Sequence, residues 1–185
     1  MDKKDAIEQA GIIPTWLEQA EREALFALAG EVPAGGQIVE VGCLYGGSTA
    51  LLGLGQPKAK ITIFDDFSWS PLPEMQAGPK TLGANLEKAG IKNDVTIMPG
   101  DSRVMAQGWD APIDLLWIDG GHSYDFIFSD LTNLGPHAQV IACHDYDNPA
   151  WPSIRHAVEE FIQLHPVWAV AGVAGTVVVL RKVQQ

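Results

Sequence analysis

The sequence predicts a three-layer α/β/α fold whose mostly parallel, seven-stranded sheet ends in an antiparallel hairpin. Short apolar segments alternate with amphipathic segments from residue 38 to residue 164, as in a parallel sheet covered by helices on both faces. Residues 115–118 are apolar throughout, which is typical of a strand buried on both sides. The last two apolar segments are separated only by residues 171–175, which are too few for a parallel crossover and therefore predict the hairpin.

The individual elements follow from apolar spacing and from turn residues. The opening stretch, 5–30, is helical in character with a break at Pro14, and a turn signal at 33–36 precedes the first strand. Strands are predicted over 38–41, 60–65, 95–98, 113–118, 138–143, 167–170 and 176–180, and helices over 48–54, 81–89, 102–107, 123–133 and 153–164. We assign 1–32 to an N-terminal helical segment and 33–185 to the main domain, within a single domain.

Composition narrows the class of partner. The chain of 185 residues carries 12 Lys and Arg against 23 Asp and Glu, a formal net charge of −11. This balance argues against nucleic acid and against an anionic membrane surface, and it favours a small-molecule partner. We find no apolar run of membrane-spanning length and no signal-like segment, so we expect a cytoplasmic protein. The apolar stripe of the N-terminal helix is compatible with a homodimer.

The two cysteines, Cys43 and Cys143, follow or end predicted buried strands. We expect both thiols to be reduced and structural, since this is not the pattern of a disulfide framework. Adjacent parallel strands would bring the two thiols together.

A glycine-rich segment follows the first strand and is the first candidate binding loop. It reads E-V-G-C-L-Y-G-G-S-T over residues 40–49. Gly42 allows a sharp turn off the strand, and Gly46 or Gly47 allows close approach of a ligand to a helix start at Ser48. The spacing G-x-x-x-G-G does not match the dinucleotide fingerprint G-x-G-x-x-G. Taken alone, the segment fits either a ligand-binding loop or an ordinary helix start at which glycines make the turn easier.

Acidic residues follow the next two strands. Asp65 and Asp66 end the second strand, where a carboxylate can accept hydrogen bonds from ribose hydroxyls, or they are simply solvated. Asp101 and Ser102 follow the third strand, where Asp101 either accepts from an adenine amino group or caps a helix.

A second polar cluster is predicted where the fourth and fifth strands end. Asp119 follows the fourth strand, and His144 and Asp145 follow the fifth, so the topology brings them together. Such a cluster suits a hard divalent cation such as Mg²⁺, which prefers oxygen ligands. His122 is a candidate general base, because an unperturbed imidazole titrates near neutral pH. His122 and His144 each have a second interpretation as structural hydrogen-bonding groups.

Three segments, 40–49, 99–102 and 113–124, resemble motifs of class I S-adenosylmethionine (SAM) methyltransferases. Residues 118–124 match the pattern I-D-G-x-H-x-Y of a small subgroup, which is similar to macrocin-type, catechol-type and caffeoyl-coenzyme A O-methyltransferases. The resemblance covers about residues 35–182 and implies a Rossmann-like methyltransferase fold with SAM as cofactor.

The resemblance also implies roles for individual residues. Glu40 and Gly42 would contact the methionine part of SAM, Asp65 or its neighbour Asp66 the ribose, and Asp101 with Ser102 the adenine. We place Tyr45, Gly46, Ser48 and Asp119 in the cofactor site as well. Asp119 and Asp145 match metal ligands of the divalent-dependent enzymes, whereas His144 stands where those enzymes have an acidic residue. The candidate catalytic residues are Asp119, His122 and His144.

We therefore expect SAM-dependent methyl transfer to a small-molecule acceptor, most readily a hydroxyl oxygen, with assistance from Mg²⁺ or another divalent cation. The alternatives are a non-catalytic domain that binds SAM or its product and a nicotinamide-dependent oxidoreductase. The proline-rich segment 68–79 is either a lid, with Trp69 and Met75 as apolar contacts, or an ordered surface loop.

Overall fold

The computed structural model describes residues 2–183, and in that range it contains seven α-helices, one 3₁₀-helix (Gly135–His137) and seven strands. The helices are α1 (Lys3–Ala10), α2 (Gln19–Glu31), α3 (Gly47–Gly55), α4 (Pro79–Lys88), α5 (Ser102–Met105), α6 (Tyr124–Leu134) and α7 (Pro152–Leu164). The strands are β1 (Gln37–Val41), β2 (Lys60–Asp65), β3 (Asp94–Pro99), β4 (Ile113–Ile118), β5 (Ala138–Cys143), β6 (Trp168–Ala174) and β7 (Val177–Lys182). The predicted order of elements is confirmed, and most boundaries shift by only one or two residues.

The strands form one seven-stranded sheet in the order β3-β2-β1-β4-β5-β7-β6. Strands β1 to β5 are parallel, and β7 is antiparallel to both of its neighbours, β5 and β6. The fold class predicted from the sequence is therefore confirmed. The chain winds outward in one direction from β1 to β3 and in the other from β4 onward, so a crevice opens beyond the carboxyl ends of β1 and β4.

The terminal hairpin is longer than predicted. Strand β6 runs to Ala174, although residues 171–174 read as part of a loop. It is the edge strand of the sheet, and Val170 and Val173 are exposed, so it lacks the buried run by which a strand is recognised. A register shift between Val170 and Gly172 adds a bulge, which further disturbs the alternation of side chains.

Helices cover both faces of the sheet and create two apolar clusters. On one face, residues from α1 to α4 pack with Ile38, Leu115 and Trp117 of the central strands. On the other face, residues from α6 and α7, together with Ala106 after α5, pack with Leu116 and Ile118. Successive residues of β4 thus enter opposite layers, which explains why its sequence is apolar throughout.

Cys43 and Cys143 are free and buried. Their expected proximity is wrong, because β4 lies between β1 and β5 and the two cysteines belong to different apolar clusters. Burial raises the pKa of both thiols, so they are unreactive structural side chains.

Within residues 2–183, no helix has the length and apolar character needed to cross a membrane.

Candidate active site

A cleft of about 710 Å³ opens beyond the carboxyl ends of the parallel strands. Its walls come from the loops after β1 to β5 and from residues 14–17, the segment between α1 and α2. Five of the polar side chains that line the cleft are acidic: Asp65, Asp66, Asp101, Asp119 and Asp145. The cleft therefore lies where the topology predicts it, at the point where the winding of the sheet reverses.

Gly42 brings the end of β1 into contact with the end of β4. Its backbone has a positive φ of 82°, and a Cβ atom at this position would lie 2.3 Å from the backbone oxygen of Asp119. Any larger residue would push these two strand ends apart. The predicted role of Gly42 in the turn thus extends to the packing of the cleft floor.

Asp65 ties the β1–α3 loop to the end of β2. Its Oδ2 accepts hydrogen bonds from the backbone N–H groups of Cys43 (2.7 Å) and Leu44 (2.9 Å), and its Oδ1 accepts from Phe67 (2.7 Å). The neighbouring Asp66 is exposed and accepts from the backbone N–H of Ser68. Both residues line the cleft, but only Asp65 shapes the loop.

Glu40 lies beneath the loop rather than in the cleft. It is fully buried, and its two carboxylate oxygens accept from the hydroxyls of Ser48 (2.5 Å) and Thr49 (2.6 Å) at the start of α3. Burial raises the pKa of Glu40 to about 8, although these hydroxyl bonds act in the opposite direction. The resemblance implies that Glu40 contacts the methionine part of SAM, but in this structure Glu40 links strand β1 to helix α3 by hydrogen bonds. Ser48, one of its two partners, lines the cleft.

Tyr45 and Gly46 also face away from the cleft. The buried Tyr45 hydroxyl accepts from the backbone N–H of Leu72 (3.1 Å) and is 3.2 Å from Ser70 Oγ. Gly46 begins α3 and packs against Leu82. Both residues support the cofactor loop and the 68–79 segment, in place of the direct cofactor contact that we expected.

The 68–79 segment is an ordered loop that contributes one wall of the cleft. Ser70 Oγ donates to the backbone oxygen of Met75 (2.8 Å) and accepts from the N–H of Ala77 (2.9 Å). Trp69 lines the cleft, as expected for a substrate contact. Met75 instead packs against the apolar cluster and is not among the residues that line the cleft.

At the end of β3, Asp101 caps helix α5 and also lines the cleft. It accepts from the backbone N–H of Arg103 (2.9 Å), and its Oδ2 is 2.5 Å from Arg103 Nη2. The Arg103 guanidinium keeps the pKa of Asp101 below its usual value. Ser102 beside it is buried but contributes to the cleft wall.

Asp119, His144 and Asp145 meet where β4 and β5 end. His144 Nδ1 is 3.0 Å from Asp119 Oδ1 and 3.4 Å from Asp145 Oδ2. Burial alone would lower the pKa of His144, but the two carboxylates outweigh it and raise the pKa to about 11. The raised pKa favours the protonated imidazole and makes His144 a poor general base.

His122 lies on the other side of Asp145. Its Nε2 is 3.4 Å from Asp145 Oδ2, and its ring packs on Trp151 at 4.6 Å between centroids. Asn148 donates to the remaining oxygen of Asp145 (2.8 Å), so the Asp145 carboxylate is fixed between its neighbours. His122 and Trp151 line the cleft together.

Sequence reasoning missed three side chains at or behind this site. Trp16, on the segment before α2, lines the cleft with its ring 5.7 Å from that of Trp69. Trp151, directly before α7, lines the cleft beside His122. Glu21 lies behind His144, with Oε2 3.2 Å from His144 Nε2. The spacing Glu18-x-x-Glu21 is a capping-box signal, which marks a helix start but carries no information about this long-range contact.

Comparison with known proteins supports the same fold. The structure of the O-methyltransferase NovP has a TM-score of 0.75 at 16% sequence identity, covering 92% of this chain and 82% of that chain. The Podospora anserina methyltransferase PaMTH1, bound to S-adenosylhomocysteine (SAH), has a TM-score of 0.67 at 15% identity, covering 98% and 88%. The O-methyltransferase TomG from Streptomyces achromogenes, in complex with SAM, has a TM-score of 0.66 at 16% identity, covering 100% and 91%. No curated protein matches the chain.

A sequence model of a family described as "Methyltransferase domain" matches residues 39–146. That range includes the second half of β1, all of β2 to β5, the β1–α3 loop and every acidic residue of the cleft named above. Since the match spans more than half of the chain, this protein belongs to the methyltransferase domain family.

Proposed function

We propose that the protein transfers a methyl group from SAM to a hydroxyl oxygen of a small-molecule acceptor. The observation that carries the proposal is the polar cluster of Asp119, His144, Asp145 and His122, which faces the cofactor loop across one cleft. Methyl transfer from a sulfonium is an in-line displacement, so the protein acts chiefly by positioning the reactants and by neutralising charge. This cleft offers groups for both tasks.

The cofactor would lie along the loops after β1, β2 and β3. Each carboxylate oxygen can accept about two hydrogen bonds, and Asp65 Oδ1 accepts only one, from Phe67. Asp65 can therefore hold the loop and accept a ribose hydroxyl at the same time. Gly42 and Ser48 would adjoin the methionine part, and Asp101 with Ser102 the adenine.

His122 is the proposed general base for the acceptor hydroxyl. It lines the cleft, and its Nε2 lies 3.4 Å from Asp145 Oδ2, whose charge would stabilise the imidazolium that forms when His122 accepts the proton. The protonated His144 is unsuited to that task. It would instead keep the carboxylates of Asp119 and Asp145 in place and balance their negative charge.

The donor set also fits a divalent cation. One oxygen each from Asp119 and Asp145 and a ring nitrogen of His144 lie within 4.8 Å of one another. Because one donor is an imidazole, the set suits Mn²⁺, Fe²⁺ or Zn²⁺ better than Mg²⁺, and a bound cation would displace the Nδ1 proton of His144. When bound, such an ion would lower the pKa of the acceptor hydroxyl.

The first test is thermal unfolding with SAH, with NAD as a parallel control. SAH at ~100 times its dissociation constant should stabilise the protein by about 2.7 kcal/mol, a shift of roughly 5–10 °C for a domain of this size. A shift with NAD instead would favour an oxidoreductase.

If SAH binds, transfer of labelled methyl groups from SAM is measured against a panel of phenols, sugars and other hydroxylated metabolites. SAH binding without transfer to any member of the panel would favour a non-catalytic binding domain.

A further inference from the structure

Glu21 connects the N-terminal helix to the chemistry end of the cleft. It is the third residue of α2, and its side chain is 2% exposed. A glutamate in the first turn of a helix usually serves only the capping box, in which its carboxylate accepts from the N-cap backbone. Glu21 does this, since Oε2 accepts from the backbone N–H of Glu18 at 2.7 Å. Its burial and its other contacts go beyond capping.

The second oxygen of Glu21 binds the turn between β6 and β7. Oε1 accepts from both the backbone N–H (2.9 Å) and the hydroxyl (2.8 Å) of Thr176. The fit is close, because a Cβ atom on Gly175 would lie 2.7 Å from Glu21 Cγ. Thr176 Oγ1 in turn accepts from the backbone N–H of Asp145 at 3.3 Å. Glu21 is thus linked through Thr176 to the backbone of a cleft residue.

The same carboxylate also reaches the cleft directly through His144. Glu21 Oε2 is 3.2 Å from Nε2 of His144, while Nδ1 on the other side of the ring faces Asp119 and Asp145. An ionised carboxylate only accepts hydrogen bonds, so the proton between Glu21 and His144 belongs to Nε2. A carboxylate behind an imidazole fixes which ring nitrogen faces the site and how the ring is turned.

We propose that Glu21 is a positioning residue for methyl transfer: it holds the His144 ring so that Nδ1 faces Asp119 and Asp145. This inference rests on the proposed function. Glu21 does not line the cleft, so it acts on the reactants only through His144 and, by way of Thr176, through Asp145. The helix that carries Glu21 is therefore part of the active site as well as part of the core.

The test is nuclear magnetic resonance of ¹⁵N-histidine-labelled protein, with the full chain as wild type, Glu21→Gln and Glu18→Gln. A His144→Asn variant identifies the ring signals of His144. Glu21→Gln is nearly isosteric but removes the negative charge behind His144, and its NH2 group must face an N–H donor on one of its two sides, so the Nε2–H signal of His144 should shift or be lost and both ring nitrogens should shift. Glu18→Gln weakens the same capping box without touching His144, and the His144 signals should stay at their wild-type positions.

Unchanged His144 signals in Glu21→Gln would overturn the proposal, as would an equal change in Glu18→Gln. If Glu21→Gln does not fold, Glu21→Asp replaces it, because the shorter side chain keeps the charge but retracts the carboxylate from Nε2, with the same outcomes. SAH binding is measured on the same samples and should be retained in all of them. Absence of SAH binding in the wild type would refute the proposed function while leaving the His144 spectra to decide the role of Glu21.

Discussion

Asp65 illustrates how one carboxylate can shape a loop and still line the cleft. Three backbone N–H groups donate to it, two of them from the β1–α3 loop. The neighbouring Asp66 has the same side chain and also lines the cleft, but it serves only its own turn. The two residues therefore form a natural matched pair for mutation.

Asp65→Asn should weaken SAH binding, and Asp66→Asn should change it far less. An amide nitrogen in place of one oxygen would face backbone N–H donors, and an unsatisfied group of this kind costs about 1–3 kcal/mol. Calorimetric titration with SAH should show roughly a 5- to 150-fold loss for Asp65→Asn at 1.4 kcal/mol per tenfold. A larger loss in Asp66→Asn than in Asp65→Asn would reverse the two assignments.

Asp119→Asn should reduce methyl transfer while sparing SAH affinity. The substitution keeps the shape of the side chain but removes the charge that pairs with His144. Removal of one charge-stabilising group typically lowers kcat by about 10²–10³-fold. The comparison is made by turnover with the best acceptor from the panel, and wild-type turnover in Asp119→Asn would exclude this carboxylate from the chemistry.

At the scale of elements, the clasp between β1 and α3 depends on a buried acid. Glu40 joins the end of strand β1 to the first turn of helix α3 by accepting hydrogen bonds from two hydroxyl groups. The side chain is fully buried, and burial raises its pKa to about 8. An acid with a higher pKa in the folded state binds more protons there than in the unfolded chain. Folding is therefore favoured at low pH, and stability falls as pH rises between about 4.5 and about 8.

Glu40→Gln should flatten this pH dependence. A glutamine can accept from one hydroxyl and donate to the other, but it has no proton to lose. Urea unfolding between pH 5 and pH 8 should show a wild-type decline on the order of 1 kcal/mol per pH unit that is smaller in the variant. Asp130, whose pKa is raised by burial to about 7, acts in the same direction and leaves a residual slope. Parallel slopes for the two proteins would show that Glu40 is already ionised in the folded state.

At the scale of the whole molecule, the N-terminal helices are built into the core. Ile7, Leu17, Leu25 and Leu28 are buried in the same apolar cluster as the central strands, and residues 14–17 form one wall of the cleft. Burial of one such side chain contributes about 1.5–3 kcal/mol, so the four together rival the ~5–15 kcal/mol that stabilises a typical domain. The N-terminal helical segment, which the sequence analysis ends at residue 32, therefore packs into the same apolar core as the rest of the chain.

Deletion of residues 1–32 should therefore abolish cooperative folding and SAH binding. Circular dichroism and thermal unfolding of the truncated chain test this directly, with the full chain as control. A truncated protein that unfolds cooperatively and still binds SAH would show that the remaining chain is an independent domain.

The sequence alone was sufficient for the architecture and for the location of the site. Apolar runs and connection lengths are local properties, and they predict β1 to β5, the hairpin and the strand ends at which Asp65, Asp101, Asp119 and Asp145 collect. The sheet order is not a local property, and only the tertiary structure showed that β4 lies between β1 and β5.

Only the tertiary structure decided which side chains line the cleft and which support it from behind. Glu40 and Tyr45 lie in the cofactor motif, yet their partners are Ser48, Thr49 and Leu72, so they support the loop from below. Glu21 and Thr176 are 155 residues apart, and no local pattern could link them to His144. Burial and hydrogen bonding depend on which distant segments meet. The contact between His144 and Asp119, which follows another strand, helps to raise the pKa of His144, and this is why we propose His122 as the base.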